Sequence, residues 1–199
     1  MRILVVGGSG TVGQAAIKAL SVRHEIVTAG RSAGDVRVDL MDEASVRAMF
    51  EKVGRLDAVV SAAGHVHFGP VATMTPTQFR KGLDDKLMGQ INLVLIGLPH
   101  VNDGGSFTLT SGIIDRDPIR QGSNAAAVNG AIGGFVKGAA IEMPRGIRIN
   151  AVSPGLLEES AQKYDGFFPG HEPVSSARVG LAYVKSVDGA LTGQVIAIG

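Results

Sequence analysis

The residues whose spacing most clearly suggests chemistry are the glycines of the stretch GGSGTVG, where Gly7, Gly10 and Gly13 recur at every third position. Glycine lets the backbone approach a pyrophosphate, and the N-terminus of a following helix offers free N–H groups and a partial positive charge to that anion. The stretch follows a strand-like run and opens a helix-like run. This context predicts a dinucleotide-binding turn rather than an ordinary tight turn.

The end of the second predicted strand indicates which dinucleotide is bound. An acidic residue at this place normally contacts the adenosine ribose, whereas an arginine accommodates a 2′-phosphate. Here the strand runs into Arg31 and Ser32, which can form a bidentate contact and donate a hydrogen bond to a phosphate. NADP(H) is therefore expected in preference to NAD(H). The alternative is that Arg31 is a solvated turn residue, and Asp39 is either an adenine contact or an ordinary loop aspartate.

Strand-like and helix-like segments alternate along most of the chain. The predicted strands are RILVV, EIVTA, VRV, DAVVSA, SFTLTS, IRINAVS and QVIAI, and the predicted helices are Val12–Leu20, Glu43–Val53, Phe79–Leu98, Asn124–Met143 and Ser175–Val187. This order predicts an α/β fold of the Rossmann type, a doubly wound parallel sheet with helices on both faces. We expect residues 1–199 to form a single domain. Gly155–Pro173 is rich in Gly and Pro and is expected to be an insertion or a lid.

The composition argues against several classes of partner. The net charge is +1 without a long basic run, so no nucleic-acid partner is expected. The chain has no cysteine, which rules out disulfides and thiolate metal sites and suits a cytoplasmic protein. The longest apolar run, near Leu93–Leu98, is too short for a membrane span. His65 and His67 could share one face, but no further ligand is evident, so no metal site is expected; either residue could relay a proton.

The motifs in their order resemble those of the short-chain dehydrogenase/reductase family over essentially the whole chain. GGSGTVG resembles the nucleotide turn, SAAG (Ser61–Gly64) resembles the motif that ends the fourth strand, and IRINAVSPG (Ile147–Gly155) resembles the segment that holds the nicotinamide. Together with the turn and with Arg31, the resemblance implies a set of cofactor contacts: Gly7, Ser9, Gly10, Thr11, Val12, Gly13, Arg31, Ser32, Asp39, Leu40, Ala62, Ala63, Gly64, Pro154 and Gly155.

The resemblance fails at the proton-transfer residues. The family uses a tyrosine and, four residues later, a lysine, and these positions hold Ala125 and Asn129. Ser111 lies at or one residue before the place of the catalytic serine. Lys86 stands where the family has an asparagine. Three substitutes are therefore predicted as catalytic residues: Ser111, Lys86 and Asn129.

Each of these predictions has an alternative. Lys86 could be an exposed lysine on an amphipathic helix, although burial beside a cationic nicotinamide would lower its pKa toward the range that acid/base catalysis requires. Tyr164 in the lid is an alternative proton donor, and Tyr183 is expected in packing. Asp115–Asp117 could select a polar substrate or be solvated.

Two functions are consistent with this sequence. The first is an NADP(H)-dependent oxidoreductase acting on a small carbonyl or alcohol through a non-standard active site. The second is a catalytically inactive NADP(H)-binding protein that senses redox state or regulates a partner. The small residues Ala126, Gly130, Gly134 and Gly138 recur every four residues and predict a close-packed helix face, either in a homodimer or homotetramer or against the sheet.

Overall fold

The computed structural model describes residues 1–199 and contains one seven-stranded sheet in which every neighbouring pair is parallel. Its strand order is β3-β2-β1-β4-β5-β6-β7, so the winding reverses between β1 and β4. The strands are β1 (Arg2–Val6), β2 (Glu25–Gly30), β3 (Val36–Arg37), β4 (Leu56–Ser61), β5 (Val101–Thr110), β6 (Arg148–Pro154) and β7 (Val195–Ile198). The predicted Rossmann-type fold is confirmed.

Seven α-helices connect the strands. They are α1 (Thr11–Leu20), α2 (Glu43–Val53), α3 (Pro76–Gly82), α4 (Gly89–Gly97), α5 (Ser123–Ala140), α6 (Glu158–Ala161) and α7 (Ser176–Asp188). A π-helical turn, Leu83–Met88, joins α3 to α4. None of the helices combines the length and the apolar character that crossing a membrane requires.

Both faces of the sheet are covered, because the buried strands alternate their side chains between two cores. Leu4 and Val6 of β1 point into a core shared with α2, α4 and α5, whereas Ile3 and Val5 point into a core shared with α1 and α7. Strands buried on both faces have little need of polar side chains, which explains their near-continuous Val, Ile and Leu runs. The doubly wound arrangement follows from these two apolar faces.

Three elements differ from their predicted bounds by more than one residue. The helix predicted over Phe79–Leu98 is interrupted by the π-helical turn. Strand β5 begins at Val101 instead of Ser106, because the side chain of Asn102 donates to Asp57 Oδ1 (2.8 Å) and holds an otherwise poor strand-forming segment beside β4. Helix α5 ends at Ala140 rather than Met143, shortly before Pro144, which cannot continue a helix.

The carboxyl ends of β1, β4, β5 and β6 meet at one edge of the sheet. In open parallel sheets this edge, next to the point where the strand order reverses, is where ligands bind. The loops that follow these four strands contain the glycine turn, the SAAG motif, Ser111 and the Pro154–Gly155 pair. The fold therefore brings four separate motifs of the sequence to one site.

Candidate active site

The turn after β1 brings the backbone close to the end of β4. Gly7 has a φ of +83°, and a Cβ on it would lie 2.7 Å from the carbonyl carbon of Ala62. A Cβ on Gly13 would overlap the carbonyl oxygen of Gly7, so this position packs α1 against the turn. At Gly10, which directly precedes α1, no side chain caps the helix. The N–H groups of this helix end are free for an anion, and the turn fits the pyrophosphate of a dinucleotide.

A cleft of about 510 Å³ extends from this turn toward β2 and β3. Nine of the predicted cofactor contacts line it: Gly7, Ser9, Gly10, Arg31, Ser32, Leu40, Ala62, Ala63 and Gly64. A Cβ on Gly64, which has a φ of +116°, would lie 2.6 Å from the Cα of Lys86, so only glycine lets the loop after β4 approach the π-helical turn this closely. The cleft and its glycines are suited to the adenosine half of a dinucleotide.

Arg31 and Asp39 contact each other at the outer end of this cleft. The guanidinium Nη2 lies 3.2 Å from Asp39 Oδ1, which also accepts a hydrogen bond from the Met41 N–H (3.1 Å). Arg31 lines the cleft, whereas Asp39 does not. In this structure the carboxylate predicted to contact the adenine is bound by Arg31 and by the Met41 N–H.

A second cavity, of about 460 Å³, adjoins the cleft, since Gly10 and Ala62 line both. Of the six other predicted cofactor contacts, Gly13 and Asp39 line neither space, and four line this cavity: Thr11, Val12, Pro154 and Gly155. All three predicted catalytic residues, Ser111, Lys86 and Asn129, line the same cavity. Residues that are far apart in the sequence are therefore gathered around one space next to the nucleotide cleft.

Lys86 joins the three elements around this cavity. Its Nζ donates to the carbonyl oxygen of Ser111 and to Oδ1 of Asn129, both at 2.8 Å. Lys86 lies within the π-helical turn, and such turns insert a residue into a helix and redirect its side chains. Two of the three N–H bonds of the ammonium group are thus fixed, and the predicted alternative of an exposed surface lysine is wrong.

Burial changes the acidity of this ammonium group. Removal from water disfavours the charged form and lowers the pKa of Lys86 from 10.5 to about 8, while the negative charge of Asp115 acts in the opposite direction. A lysine with a pKa near 8 is mainly protonated at neutral pH but can release its proton. The group is therefore suited to exchange a proton with a bound substrate.

The side chain of Ser111 is the unpaired polar group of the cavity. Ser111 is 3% exposed, and its Oγ has no hydrogen-bond partner within the protein. A buried hydroxyl without a partner costs free energy, so it indicates a ligand that completes its hydrogen bonding. Ala125, at the position of the family's tyrosine, is 2% exposed and contributes only a methyl group.

The two tyrosines occupy different environments. Tyr183 is fully buried, and its hydroxyl shares a hydrogen bond with Thr110 Oγ1 (2.6 Å). Burial raises the pKa of Tyr183, and its expected packing role is confirmed. Tyr164 lines the cavity from the segment Gly155–Pro173 and packs edge-on against Phe168.

The charged loop Asp115–Asp117 binds other parts of the protein. Arg116 donates to the Oγ of Ser153, directly before Pro154. Asp117 Oδ2 lies 3.1 Å from Nε2 of His171, within ion-pair distance although not aligned as a hydrogen bond. Neither Arg116 nor Asp117 lines the cavity. The expectation that this loop selects a polar substrate receives no support, because two of its side chains hold the surrounding loops instead.

The two histidines after the SAAG motif contact different parts of the protein. His65 lines the nucleotide cleft, and its Nδ1 lies 3.2 Å from Asp85 Oδ2. His67 is tied through its backbone N–H to Asn124 Oδ1 (2.9 Å) and does not line the cleft or the cavity. No group of three or more His, Cys, Asp or Glu side chains is placed to hold a metal ion.

Comparison with known proteins gives the class to which this fold and site belong. The model of a family described as enoyl-(acyl carrier protein) reductase matches residues 12–182, most of the chain, and the chain belongs to the short-chain dehydrogenase/reductase family. This is a family of oxidoreductases that bind a nicotinamide dinucleotide.

Individual relatives agree with this class. The crystal structure of the protein lin1944 from Listeria innocua is 51% identical, covers 100% of both chains and has a TM-score of 0.99. A small-chain dehydrogenase crystallised with NADPH is 29% identical, with a TM-score of 0.87, over 100% of this chain and 96% of the other. L-fucose dehydrogenase of Oryctolagus cuniculus is 33% identical over 64% of this chain, which spans 47% of that enzyme's length.

Proposed function

We propose that this protein is an NADP(H)-dependent oxidoreductase for a small carbonyl or alcohol substrate, and that Lys86 exchanges the proton in place of the family's tyrosine. The observation that carries the proposal is the contact of Lys86 Nζ with Asn129 Oδ1 at 2.8 Å. In the family the cation comes from the helix equivalent to α5 and the asparagine from the preceding one. Here the two residue types have exchanged helices and still meet beside the cavity.

Each of the three predicted catalytic residues has a defined part in this proposal. A bound nicotinamide supplies or accepts the hydride. Ser111 Oγ, which lacks a partner, donates a hydrogen bond to the substrate oxygen. Asn129 and the carbonyl of Ser111 hold two N–H bonds of Lys86, so the third is free for proton transfer. The positive charge of the ammonium group also stabilises negative charge that develops on the substrate oxygen.

The proposed preference for NADP(H) rests on Arg31 and Ser32 at the rim of the nucleotide cleft. The Arg31–Asp39 pair is about half exposed on both sides, and such pairs contribute only about 0–1 kcal/mol. A 2′-phosphate can therefore compete for the guanidinium group at little cost. The relative crystallised with NADPH supports this choice.

We also propose that α5 forms the contact of a homodimer or homotetramer. Gly130, Gly134 and Gly138 are exposed, and a Cβ on Gly134 or Gly138 would meet nothing within 4 Å. The stripe of small residues therefore does not lie against the sheet, where Gly133 faces Val195 instead. A smooth, unoccupied helix face allows close approach of a second helix.

The test of the proposed activity compares Lys86→Ala with Lys81→Ala, since Lys81 is an exposed lysine of α3 that does not line the cavity. NADPH consumption is followed by absorbance with a panel of aldehydes, ketones and quinones. We expect kcat to fall about 100-fold or more in Lys86→Ala, the usual size of a lost general acid, and to remain unchanged in Lys81→Ala.

Two outcomes contradict the proposal. Equal turnover in both variants would show that Lys86 takes no part in the reaction. Tight NADPH binding without turnover of any carbonyl favours a catalytically inactive binding protein, for which the methyl group of Ala125 in place of the phenol is the supporting observation.

A further inference from the structure

Besides the three catalytic residues and the polar side chains Glu159, Ser160, Lys163 and Tyr164, the reaction cavity has a large apolar part. Lys86 Nζ donates to the side chain of Asn129 and to the backbone carbonyl of Ser111, so the three catalytic residues lie together. Much of the remaining lining is apolar: Val66, Phe68, Ile113, Ile114, Leu156 and Phe168. A ligand that fills this cavity therefore presents one polar atom to the catalytic residues and an apolar body to the rest.

The apolar side is built around Ala125. Ile113, Ile114 and Ala125 form a small buried cluster of their own, separate from the two cores of the sheet, and Phe168 packs against it. The methyl group of Ala125 leaves more space beside Ser111 than a tyrosine would. The substitution that removes the family's phenol thus also widens the cavity on its apolar side.

Phe168 is held in place by neighbours on both sides. Its ring packs edge-on against Tyr164 (6.1 Å between centroids) and against His171 (5.2 Å). His171 in turn lies against Asp117, and the Val174 N–H donates to the carbonyl of Leu156 (2.7 Å), which closes the base of the segment. A ring fixed in this way offers a preformed apolar surface, so a ligand binds it without first having to order it.

The charged groups near the cavity are already engaged. Glu159 accepts a hydrogen bond from Ser176, which lowers its pKa. Lys163 Nζ lies over the ring of Tyr164, 5.4 Å from its centroid. Both of these groups lie on the segment Gly155–Pro173, so Lys86 is the one buried cation of the lining, and the proposed reaction places its third N–H at the substrate oxygen.

We infer that the substrates are carbonyl compounds with a compact apolar ring beside the carbonyl, and that Phe168 selects them. This inference rests on the proposed function and names its substrate class. Each additional methylene buried against the Phe168 surface should strengthen binding about fourfold, and removal of the aromatic ring should weaken it about tenfold or more. Sugars should bind less well, because their additional hydroxyl groups would be buried against Ile113, Ile114 and Phe168 without partners.

The test measures binding, so it does not depend on turnover. Benzyl alcohol, cyclohexylmethanol and a pentitol are titrated by calorimetry into the protein with and without saturating NADPH, which cannot reduce an alcohol. We expect both ring alcohols to bind more tightly than the pentitol. Phe168→Ala should weaken the ring alcohols about tenfold or more, whereas the matched control Phe167→Ala, an exposed neighbour outside the cavity, should change them less than twofold.

A second variant distinguishes a loss of ligand binding from a loss of folding. Ala125→Leu fills the widened side and should weaken the ring alcohols while the affinity for NADPH stays unchanged. Equal or tighter binding of the pentitol overturns the inference, and so does an equal response of Phe168→Ala and Phe167→Ala. Selective binding of ring alcohols without turnover supports this inference and refutes the proposed reaction, so the two failures are distinguishable.

Discussion

Replacement of Lys86 by methionine should change how stability depends on pH. Methionine keeps a similar unbranched shape without the charge. Burial lowers the pKa of Lys86 from 10.5 to about 8. Since each pKa unit corresponds to 1.36 kcal/mol, the protonated form is penalised in the folded state by about 3 kcal/mol relative to the neutral form.

The sign of the effect follows from proton binding. Below pH 8 both the folded and the unfolded chain carry the Lys86 proton, and the full penalty applies. Between pH 8 and pH 10.5 the unfolded state binds more protons at this residue, so the free energy of unfolding rises with pH. Between pH 7 and pH 9 the expected contribution of Lys86 is about +1.3 kcal/mol.

Urea denaturation of the wild type and of Lys86→Met at pH 7 and pH 9 measures this contribution. All other titrating groups are shared by the two proteins, so the difference between their pH dependences isolates Lys86. We expect the wild type to gain about 1.3 kcal/mol more than the variant. An equal gain in both proteins refutes the claim that burial lowers the pKa of Lys86. If the variant is too unstable to measure, the 13Cε chemical shift of Lys86 gives an independent titration.

Three further predictions concern the cofactor, the lid and the assembly. Arg31→Ala should weaken NADPH binding about tenfold and leave NADH binding unchanged, because a bidentate charged contact is lost. Arg37→Ala is the control, since Arg37 is exposed and lies outside the cleft, and fluorescence titration measures the binding of both cofactors to each variant. Tyr164→Phe should retain kcat within about twofold because Lys86 provides the proton, and a loss of 100-fold would instead identify Tyr164 as the donor. Gly134→Leu should shift the protein toward the monomer in light scattering, and an unchanged mass would exclude α5 as the interface.

Much of the fold could be predicted because its signals are local. Apolar runs of strand length, separated by amphipathic segments, predict the seven parallel strands and the helices on both faces. The glycine turn could also be located, because close backbone approach requires Gly7 and Gly13 in that place. These features depend on residues within a few positions of one another.

The contacts of the site could not be predicted in the same way. Lys86 and Asn129 are 43 residues apart, and their contact depends on the π-helical turn, which has no clear signature in the sequence. The burial that changes the acidity of Lys86 arises only when three elements meet. The contact of the Asp39 carboxylate with Arg31 was not predicted either, and its contact with the adenine stays a prediction.

Loss of the tyrosine and relocation of the lysine are linked in this structure. Ala125 removes the phenol and opens an apolar space, and Asn129 replaces the lysine four residues later with an acceptor for Lys86. Gly64 packs directly on the backbone of Lys86 and so fixes the turn that carries it. The altered positions therefore form one connected arrangement.

The pH dependence of kcat for carbonyl reduction at saturating NADPH tests the central claim most directly. If Lys86 donates the proton, kcat is constant at neutral pH and falls about tenfold per pH unit above about pH 8, where the ammonium group loses its proton. A kcat that stays constant to pH 9.5, or a wild-type decline that Lys86→Met shares, contradicts proton transfer from Lys86.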